Sequence, residues 1–428
     1  MKKANLVLAA AMAVAGLTGL VGGSLYPVAA LAADKAPVQK ISANLLKPLK
    51  AAQEALVAKN FDEALVQLQA AQAVEPKSPY DVFMINELSW NAYLQKKDYP
   101  QAVAALEQSL NSGFVDPADV PTRLKALTQL NYETKNYAKA AEYGTRYLEA
   151  TPGDATIALM VAHAYYMDKN YTAASTLAQK EIARSTPPKE QMIQIWLQSE
   201  IALKNNPAAL QALEVRVRYY PTKGNWSDLM QNTLNQVRGD RELRDYYRLM
   251  QQTDTLESSD DYAEAASVLI SGGFPAEAAK VLERGMAAGV FSGDSLTRAK
   301  AELDRARAGA ATDAKDLPGA AKGIAAAKTG NEVVAYGKLY FSAGDYASAI
   351  DAIRKGLTMG GVADTDDANA LLAIALVRAG RPAEALASQW PFTRYAMPVV
   401  AFVPEYGVTL WAEHKVYVYK HHAVDMTK

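Results

Sequence analysis

Apolar side chains in this chain recur in pairs of short helical periods separated by a polar turn. In residues 121–154, Leu124 and Leu127 fall at helical spacing, and Ala140, Tyr143 and Tyr147 form a second run after two polar residues. This pattern predicts two amphipathic helices joined by a tight turn. Polar side chains just before the second helix can accept from its free N–H groups, and they are Asn60, Asp98, Asn136, Asn170 and Asp345.

A short phrase ending in alanine marks the second helix of each pair. It recurs every 34 to 38 residues, with two gaps of about twice that length, so degenerate copies are expected near Leu243 and Ala314. A large side chain at the alanine would hold the two helices apart, and we therefore interpret it as their crossing point. The recurring alanines are Ala64, Ala102, Ala140, Ala174, Ala209, Ala278, Ala349 and Ala385.

With these features the chain resembles the tetratricopeptide repeat (TPR) family, whose unit is a helix–turn–helix of about 34 residues. The best match is 330–363, where Tyr336-Gly337 forms a bulky–small pair, Tyr340 is the aromatic residue and Ala349 the small one. We predict an all-α fold, a right-handed α-solenoid of about ten TPR-like units with a short non-repeat C-terminal tail.

The sequence predicts six segments. They are a signal peptide (1–32), a linker (33–44), TPR-like repeats (45–293), a degenerate Ala/Gly-rich repeat (294–329), TPR repeats (330–390) and a non-repeat C-terminal cap or tail (391–428). The stretch 308–330 is either a flexible linker or an alanine-rich helix, and the helix propensity of alanine favours the helix. A hinge in this stretch is a further alternative, because small side chains bury little area between repeats.

The N-terminus has the pattern of an export signal. Lys2 and Lys3 precede an apolar run at 6–21, and Ala30-Leu31-Ala32 supplies the small residues of a signal peptidase site. An uncleaved membrane anchor is the alternative. We predict a periplasmic or secreted protein, in the periplasm of a Gram-negative bacterium. The absence of cysteine removes disulfides, thiol catalysis and thiolate metal sites.

Charge and motifs argue against several functions. The formal net charge is −1, and loss of Lys2 and Lys3 with the signal would leave −3, which gives no basic field for nucleic acid or anionic lipid. The chain has no HExxH, GxSxG, GxGxxG or phosphate-binding GxxxxGK[ST] motif. We predict a non-enzyme with no catalytic residue, no metal site and no cofactor.

The resemblance implies that the first helix of each pair lines a concave, partner-binding face. Amides there can hydrogen-bond an extended backbone, and neighbouring rings can anchor apolar groups. The predicted partner-binding residues are Asn91, Gln129, His163, Gln198 and Lys338 at one repeat position, with Tyr132, Tyr166 and Phe341 one helical turn on. Ordinary solvated positions are the alternative. The family's carboxylate-gripping set is incomplete, because Asn91 and Lys125 stand alone.

The C-terminal tail departs from the repeat. Its β-branched and aromatic run Val416–Tyr419 favours a strand. The tail either caps the last helix pair or pairs, through Tyr417 and Tyr419, with a partner's sheet edge. His414, His421 and His422 are either exposed or bind a metal weakly.

Three functions stay open at this stage. The first is a non-catalytic scaffold that binds a protein or peptide segment in the concave face of the TPR solenoid. The second is an accessory subunit of envelope polysaccharide export or outer-membrane assembly, which would dock on an envelope complex. The third is a hydrolytic enzyme with two carboxylates facing each other across the groove.

Overall fold

A computed structural model describes residues 40–385, apart from 235, 236, 238, 382 and 383, and the backbone of three strands between 400 and 418. The predicted signal peptide, Tyr419 and the three C-terminal histidines lie outside the described residues. Within the described part, no helix is both long and apolar enough to span a membrane. The chain divides into two compact units, Met1–Ala209 and Leu210–Lys428.

The described residues form eighteen α-helices, which confirms the predicted all-α repeat fold. Those of the first unit are α1 (Leu46–Val57), α2 (Phe61–Ala73), α3 (Pro79–Gln95), α4 (Tyr99–Leu110), α5 (Val120–Glu133), α6 (Tyr137–Ala150), α7 (Ala155–Met167), α8 (Tyr171–Ile182) and α9 (Glu190–Ala202). The unit boundary falls within α10 (Asn206–Tyr219). The second unit continues with α11 (Lys223–Thr233), α12 (Gly239–Gln252), α13 (Ser259–Ser271), α14 (Pro275–Ala287), α15 (Gly293–Ala326), α16 (Gly330–Ala343), α17 (Tyr346–Met359) and α18 (Thr365–Arg378).

The predicted capping residues stand where each second helix begins. Asn60, Asp98, Asn170 and Asp345 each accept a hydrogen bond from the backbone N–H three residues on. Asn136 occupies the same position without a side-chain cap bond. The sequence therefore predicts the start of the second helix correctly in all five copies.

The recurring alanines lie in the interior of the helix pairs. Seven of the eight have no exposed surface, and Ala209 is 8% exposed. Gly144 shows how close the packing is, because a Cβ built there would lie 2.2 Å from Cγ2 of Val161 on the next helix. These positions confirm that small residues keep neighbouring helices in contact.

In each helix pair of the first unit, the first helix ends in the same hydrogen-bonded turn. At Lys135, the backbone N–H donates to the carbonyl of Tyr132 at 3.0 Å, and the next N–H, of Asn136, donates to Asn131 at 2.8 Å. This Schellman motif needs a left-handed residue, which is usually glycine. Lys135 has φ 61°, and a non-glycine residue costs about 1–2 kcal/mol there.

The second unit departs from the expected repeat in one place. Leu243 lies in α12, the second helix of a pair, as the repeat spacing predicts. The residues around Ala314 belong instead to the single 34-residue helix α15, with Pro318 inside it. The alanine-rich stretch is thus helical up to Ala326, but one long helix replaces the expected helix–turn–helix. The division into compact units lies at 209/210, away from 308–330 where the sequence allows a hinge.

Three strands form an antiparallel sheet in the C-terminal tail, in the order β1 (Val400–Val403), β2 (Gly407–Ala412) and β3 (Lys415–Val418). Val400 pairs with Leu410, and Leu410 pairs with Tyr417. The strand predicted from Val416 is therefore confirmed as far as Val418. Neither β1 nor β2 was predicted from the sequence.

Candidate interaction surface

Four of the predicted partner-binding positions lie on alternate helices of the first unit. Asn91, Gln129, His163 and Gln198 lie on α3, α5, α7 and α9, which are the first helices of consecutive pairs. We call these four residues with Tyr132 and Tyr166 the amide–aromatic face. Its described residues all belong to one compact unit.

Tyr132 and His163 join neighbouring repeats on this face. The Tyr132 hydroxyl lies 2.7 Å from Nδ1 of His163, and the ring centroids are 5.7 Å apart. Tyr132 also makes an edge-on contact with Tyr137, and Tyr166 packs against Tyr171, so each tyrosine meets a ring across its own turn. These contacts fix both rings before any partner binds.

Burial divides the face into a floor and a rim. Gln129 is 5% and His163 7% exposed, whereas Asn91, Gln198, Tyr132 and Tyr166 are half-buried. The buried Oε1 of Gln129 has no hydrogen-bond partner among the described residues. This oxygen has less than 1 Å² of exposed surface, so it belongs to the floor and does not face a partner bound at the rim.

The Tyr132–His163 pair of this face is uncharged near neutral pH. Burial raises the pKa of Tyr132 to about 12, and the nearby Tyr137 and Glu133 add to the rise. Burial also lowers the pKa of His163 below its usual value. Both groups therefore act as neutral hydrogen-bonding side chains, and the face has no cation at this point.

Charged groups one helical turn earlier are already paired. Glu87 precedes Asn91 by one turn, and its Oε2 lies 2.7 Å from Nη2 of Arg123, with both side chains 8% exposed. Lys125 precedes Gln129 by one turn, and its Nζ lies 2.9 Å from Oδ2 of Asp154. The Glu87–Arg123 pair was not predicted from the sequence, because an ion pair between helices has no spacing signature.

Lys338 and Phe341 lie in the second unit and have a different environment. Phe341 is 2% exposed and makes edge-on contacts with Phe274 and Tyr346. Lys338 Nζ donates to Oδ2 of Asp367 at 2.7 Å. Phe341 is therefore part of the interior of its unit, and we leave both residues out of the amide–aromatic face.

A buried charge cluster surrounds Phe341. Arg248 on α12 and Arg378 on α18 both bind Glu277 on α14, at 2.7 and 2.6 Å. On the same helices, Arg244 pairs with Asp367. The guanidinium carbons of Arg248 and Arg378 lie 5.2 and 5.0 Å from the centroid of the Phe341 ring. The cluster joins helices that are up to 123 residues apart in sequence.

The acidic groups of this cluster stay ionised. Burial alone would raise the pKa of Glu277, but Arg248 and Arg378 outweigh it and hold this pKa at about 2. Asp367 follows the same pattern, since Arg244 and Lys338 outweigh burial and lower its pKa. No group of three His, Asp or Glu side chains in the described part of the chain could hold a metal ion.

A separate cavity of about 570 Å³ opens between α3 and α4. It is lined by Pro79, Val82, Phe83, Asn86, Ala104, Glu107, Gln108, Asn111 and Ser112. None of the residues of the amide–aromatic face lines it. It is therefore a distinct feature of the second helix pair.

Solved structures with similar helical repeats are known from several organisms. A tetratricopeptide repeat protein from Parabacteroides merdae is 13% identical, covers 78% of this chain and 100% of its own, and has a TM-score of 0.29. The TPR2AB-domain:pHSP90 complex of yeast Sti1 is 16% identical, with 62% and 98% covered and a TM-score of 0.32. The C-terminal part of a TPR repeat-containing protein from Cytophaga hutchinsonii is 14% identical, with 61% and 93% covered and a TM-score of 0.29.

These TM-scores are all below 0.5 and carry no argument about function. No protein-family model and no curated protein matches the chain.

Proposed function

We propose that the first unit is a non-catalytic scaffold that binds an extended protein or peptide segment on its amide–aromatic face. The observation that carries the proposal is the Tyr132–His163 contact, which brings the two positions of the face together between neighbouring repeats. An extended chain laid across successive repeats would meet one polar side chain per helix pair. Such a ladder suits a repetitive backbone better than it suits a compact ligand.

The available groups define the chemistry of the segment. Asn91 and Gln198 carry half-buried amides that both donate and accept. Ile201, one turn beyond Gln198, is 51% exposed and occupies the repeat position of Tyr132 and Tyr166. The face therefore offers hydrogen bonds to a backbone and an apolar contact beside them.

Charge plays a small part in this recognition. Glu87 and Lys125, the charged residues one turn before the amides of α3 and α5, have partners within the unit. Breaking a buried ion pair to bind a partner would leave a charge unpaired, which is costly. We therefore expect an uncharged, apolar-rich segment, bound with weak dependence on salt.

The test is selection of peptides from a random display library on the purified protein, followed by calorimetry. The variant Asn91→Ala, Tyr166→Ala, Gln198→Ala, Ile201→Ala removes side chains from the half-buried or exposed rim, so the buried floor stays intact. We expect it to lose at least tenfold in affinity for the selected peptides, since contact side chains that matter cost over 1 kcal/mol each.

A matched control removes four exposed side chains from second helices of the same unit: Val66→Ala, Gln72→Ala, Gln101→Ala and Thr172→Ala. It should bind as the wild type does, with an unchanged circular dichroism spectrum. Equal affinity of the wild type and the rim variant would disprove the proposed face. Export to the periplasm and binding to an envelope complex stay predictions. Co-purification from the envelope fraction would test them.

A further inference from the structure

A polar residue of the second helix pair stands where the other repeats carry an apolar one. Asn86 on α3 lies five residues before Asn91 and is only 9% exposed. At the same repeat position, the first helices that carry Gln129, His163, Gln198 and Lys338 have buried apolar residues. These are Leu124, Ala158, Ile193 and Val333, none more than 3% exposed. The repeat therefore does not require asparagine at this position.

The amide of Asn86 lines the cavity between α3 and α4. No described residue forms a hydrogen bond with this side chain. A largely buried amide without a protein partner lowers the stability of the fold, whereas an apolar residue of the same size does not. The chain thus keeps a hydrogen-bonding group in the cavity wall at a cost in stability.

Two further amides line the same cavity without a hydrogen-bond partner among the described residues. They belong to Gln108, near the end of α4, and to Asn111, the residue that follows α4. Because α3 and α4 are antiparallel, the first half of α3 lies beside the last half of α4. Asn86, Gln108 and Asn111 therefore border one space of about 570 Å³. Each amide offers two N–H donors and a carbonyl acceptor.

The rest of the lining is mostly apolar or already hydrogen-bonded. Pro79 and Ala104 are exposed and Val82 is half-buried, so their aliphatic groups form the apolar part of the wall. The hydroxyl of Ser112 donates to the carbonyl of Ser109 at 2.6 Å. The three amides are thus the hydrogen-bonding groups that a ligand would meet.

The cavity has no free charge in its lining. Glu107 is its one charged lining residue, and Lys139 Nζ donates to both of its carboxylate oxygens, at 2.7 and 2.8 Å. The Tyr143 hydroxyl donates to the same carboxylate at 3.1 Å. An anion would find no cation in the wall, and a cation would have to compete with Lys139. The lining therefore favours an uncharged ligand.

The position of the cavity favours a compact ligand. All its lining residues belong to α3, α4 and the two residues after α4, so it does not continue across successive repeats. A nucleobase needs a free aromatic face for stacking. Phe83 is 7% exposed and packs against Tyr80 and Phe114, with ring centroids 5.7 and 5.8 Å away, so it offers no such face. A purely apolar molecule would take water away from three amides and give them no partner.

We propose that the cavity between α3 and α4 is a binding site for a neutral saccharide. A sugar hydroxyl both donates and accepts, as an amide does, so several hydroxyls on one ring can satisfy amides from two helices. The C–H groups of the ring can contact the aliphatic wall of Pro79, Val82 and Ala104. The volume of about 570 Å³ lies in the range of small-molecule sites. No residue of the amide–aromatic face lines the cavity, so the two sites are independent.

The test is saccharide binding by the purified protein beginning at Ala33. The probes are immobilised neutral hexoses, N-acetylhexosamines and their dimers, with uronic acids beside them, and calorimetry follows with the saccharide that binds most tightly. The variant Gln108→Ala, Asn111→Ala removes two exposed amides, so the fold should be unaffected. One hydrogen bond is worth about two- to tenfold in affinity, and we expect a loss of at least about fivefold.

Asn86→Leu separates a binding role from a structural one. Leucine has the same number of side-chain heavy atoms as asparagine and is the residue found at the equivalent position of α5. We expect the variant to bind the saccharide at least about fivefold more weakly and to unfold at a higher urea concentration than the wild type. A lower urea midpoint would show that the Asn86 amide serves the fold, and would overturn the proposal.

The matched control is Gln95→Ala, Gln101→Ala, which removes two exposed amides from the opposite ends of the same two helices. It should bind the saccharide as the wild type does. The proposal is overturned if the wild type binds none of the neutral saccharides or prefers the uronic acids. Equal affinity of the wild type and the Gln108→Ala, Asn111→Ala variant, or an equal loss in the control, would overturn it as well.

Discussion

Arg378 on α18 donates to Glu277 on α14 at 2.6 Å, across 101 residues of sequence. The same carboxylate binds Arg248 on α12, so one acidic group joins three helices of the second unit. Glu277 is 7% exposed and has two guanidinium partners. The helices that would otherwise form an open row of repeats are thus tied together by buried charge within this unit.

Replacement of Glu277 by glutamine should be among the most destabilising single changes in the second unit. It leaves Arg248 and Arg378 buried without their common anion, and loss of one partner of a buried ion pair costs about 3–5 kcal/mol. Urea unfolding followed by circular dichroism measures the change. Glu283→Gln is the matched control. Glu283 pairs with Arg307 at the same distance of 2.7 Å, but both of these side chains are about half exposed. It should cost at most about 1 kcal/mol, and equal losses would contradict the role of Glu277.

The same carboxylate gives the second unit an acid sensitivity with a defined sign. The pKa of Glu277 is about 2 in the folded protein and near 4.5 in an unfolded chain. Its stabilisation is complete above the unfolded value and is lost as the pH falls from about 5 towards 2. The stability difference between wild type and Glu277→Gln should therefore shrink over that range. Unfolding free energies measured at several pH values check this, and a constant difference would refute it.

The contribution of His163 to the stability of the first unit should change over a higher pH range than that of Glu277. Burial lowers its pKa below the usual 6.5, so the unfolded chain binds the proton more readily. The contribution of neutral His163 is complete above about pH 6.5 and is lost as the pH falls towards its folded pKa. NMR titration should give a value below 6.5, with the resonance assigned by its absence in His163→Gln. The variant should lose the stability change near pH 6, whereas Tyr132→Phe should keep it. A titration at or above 6.5 would contradict the burial of this ring.

The fold was predictable because its signals are local. The capping Asn60 and the buried Ala140 each act within one helix pair, so sequence spacing alone locates the turn. The Glu277 cluster was not predictable, since nothing local connects α14 to α18. Phe341 shows the same limit, because its repeat position equals that of Tyr132 while its neighbours include arginines from distant helices. α15 stays a single helix because its sequence is rich in alanine, and none of its internal glycines, Gly309, Gly319 and Gly323, adopts the left-handed conformation that would end it.

Lys135→Asn should leave the stability of the first unit unchanged or raise it by up to about 1 kcal/mol. Asparagine populates the left-handed region more readily than lysine, and the backbone hydrogen bonds of the turn are kept. Lys135→Val should destabilise, because a β-branched residue at φ 61° clashes with its own backbone. Thermal and urea unfolding of the three proteins measure the order. Valine at least as stable as lysine would show that the turn is not left-handed in solution.

Gly144 and Gly319 should respond with opposite signs to replacement by alanine. A Cβ at Gly144 would lie 2.2 Å from Cγ2 of Val161 and 2.9 Å from Cγ2 of Thr128, so the helices must move apart. Overpacking of this kind costs about 1–3 kcal/mol. Gly319 lies in α15, where a Cβ would have no atom within 4 Å, and alanine there gains about 0.5–1 kcal/mol from helix propensity. Urea unfolding of both variants tests the contrast, and a Gly144→Ala protein as stable as the wild type would show that α6 and α7 are not in close contact.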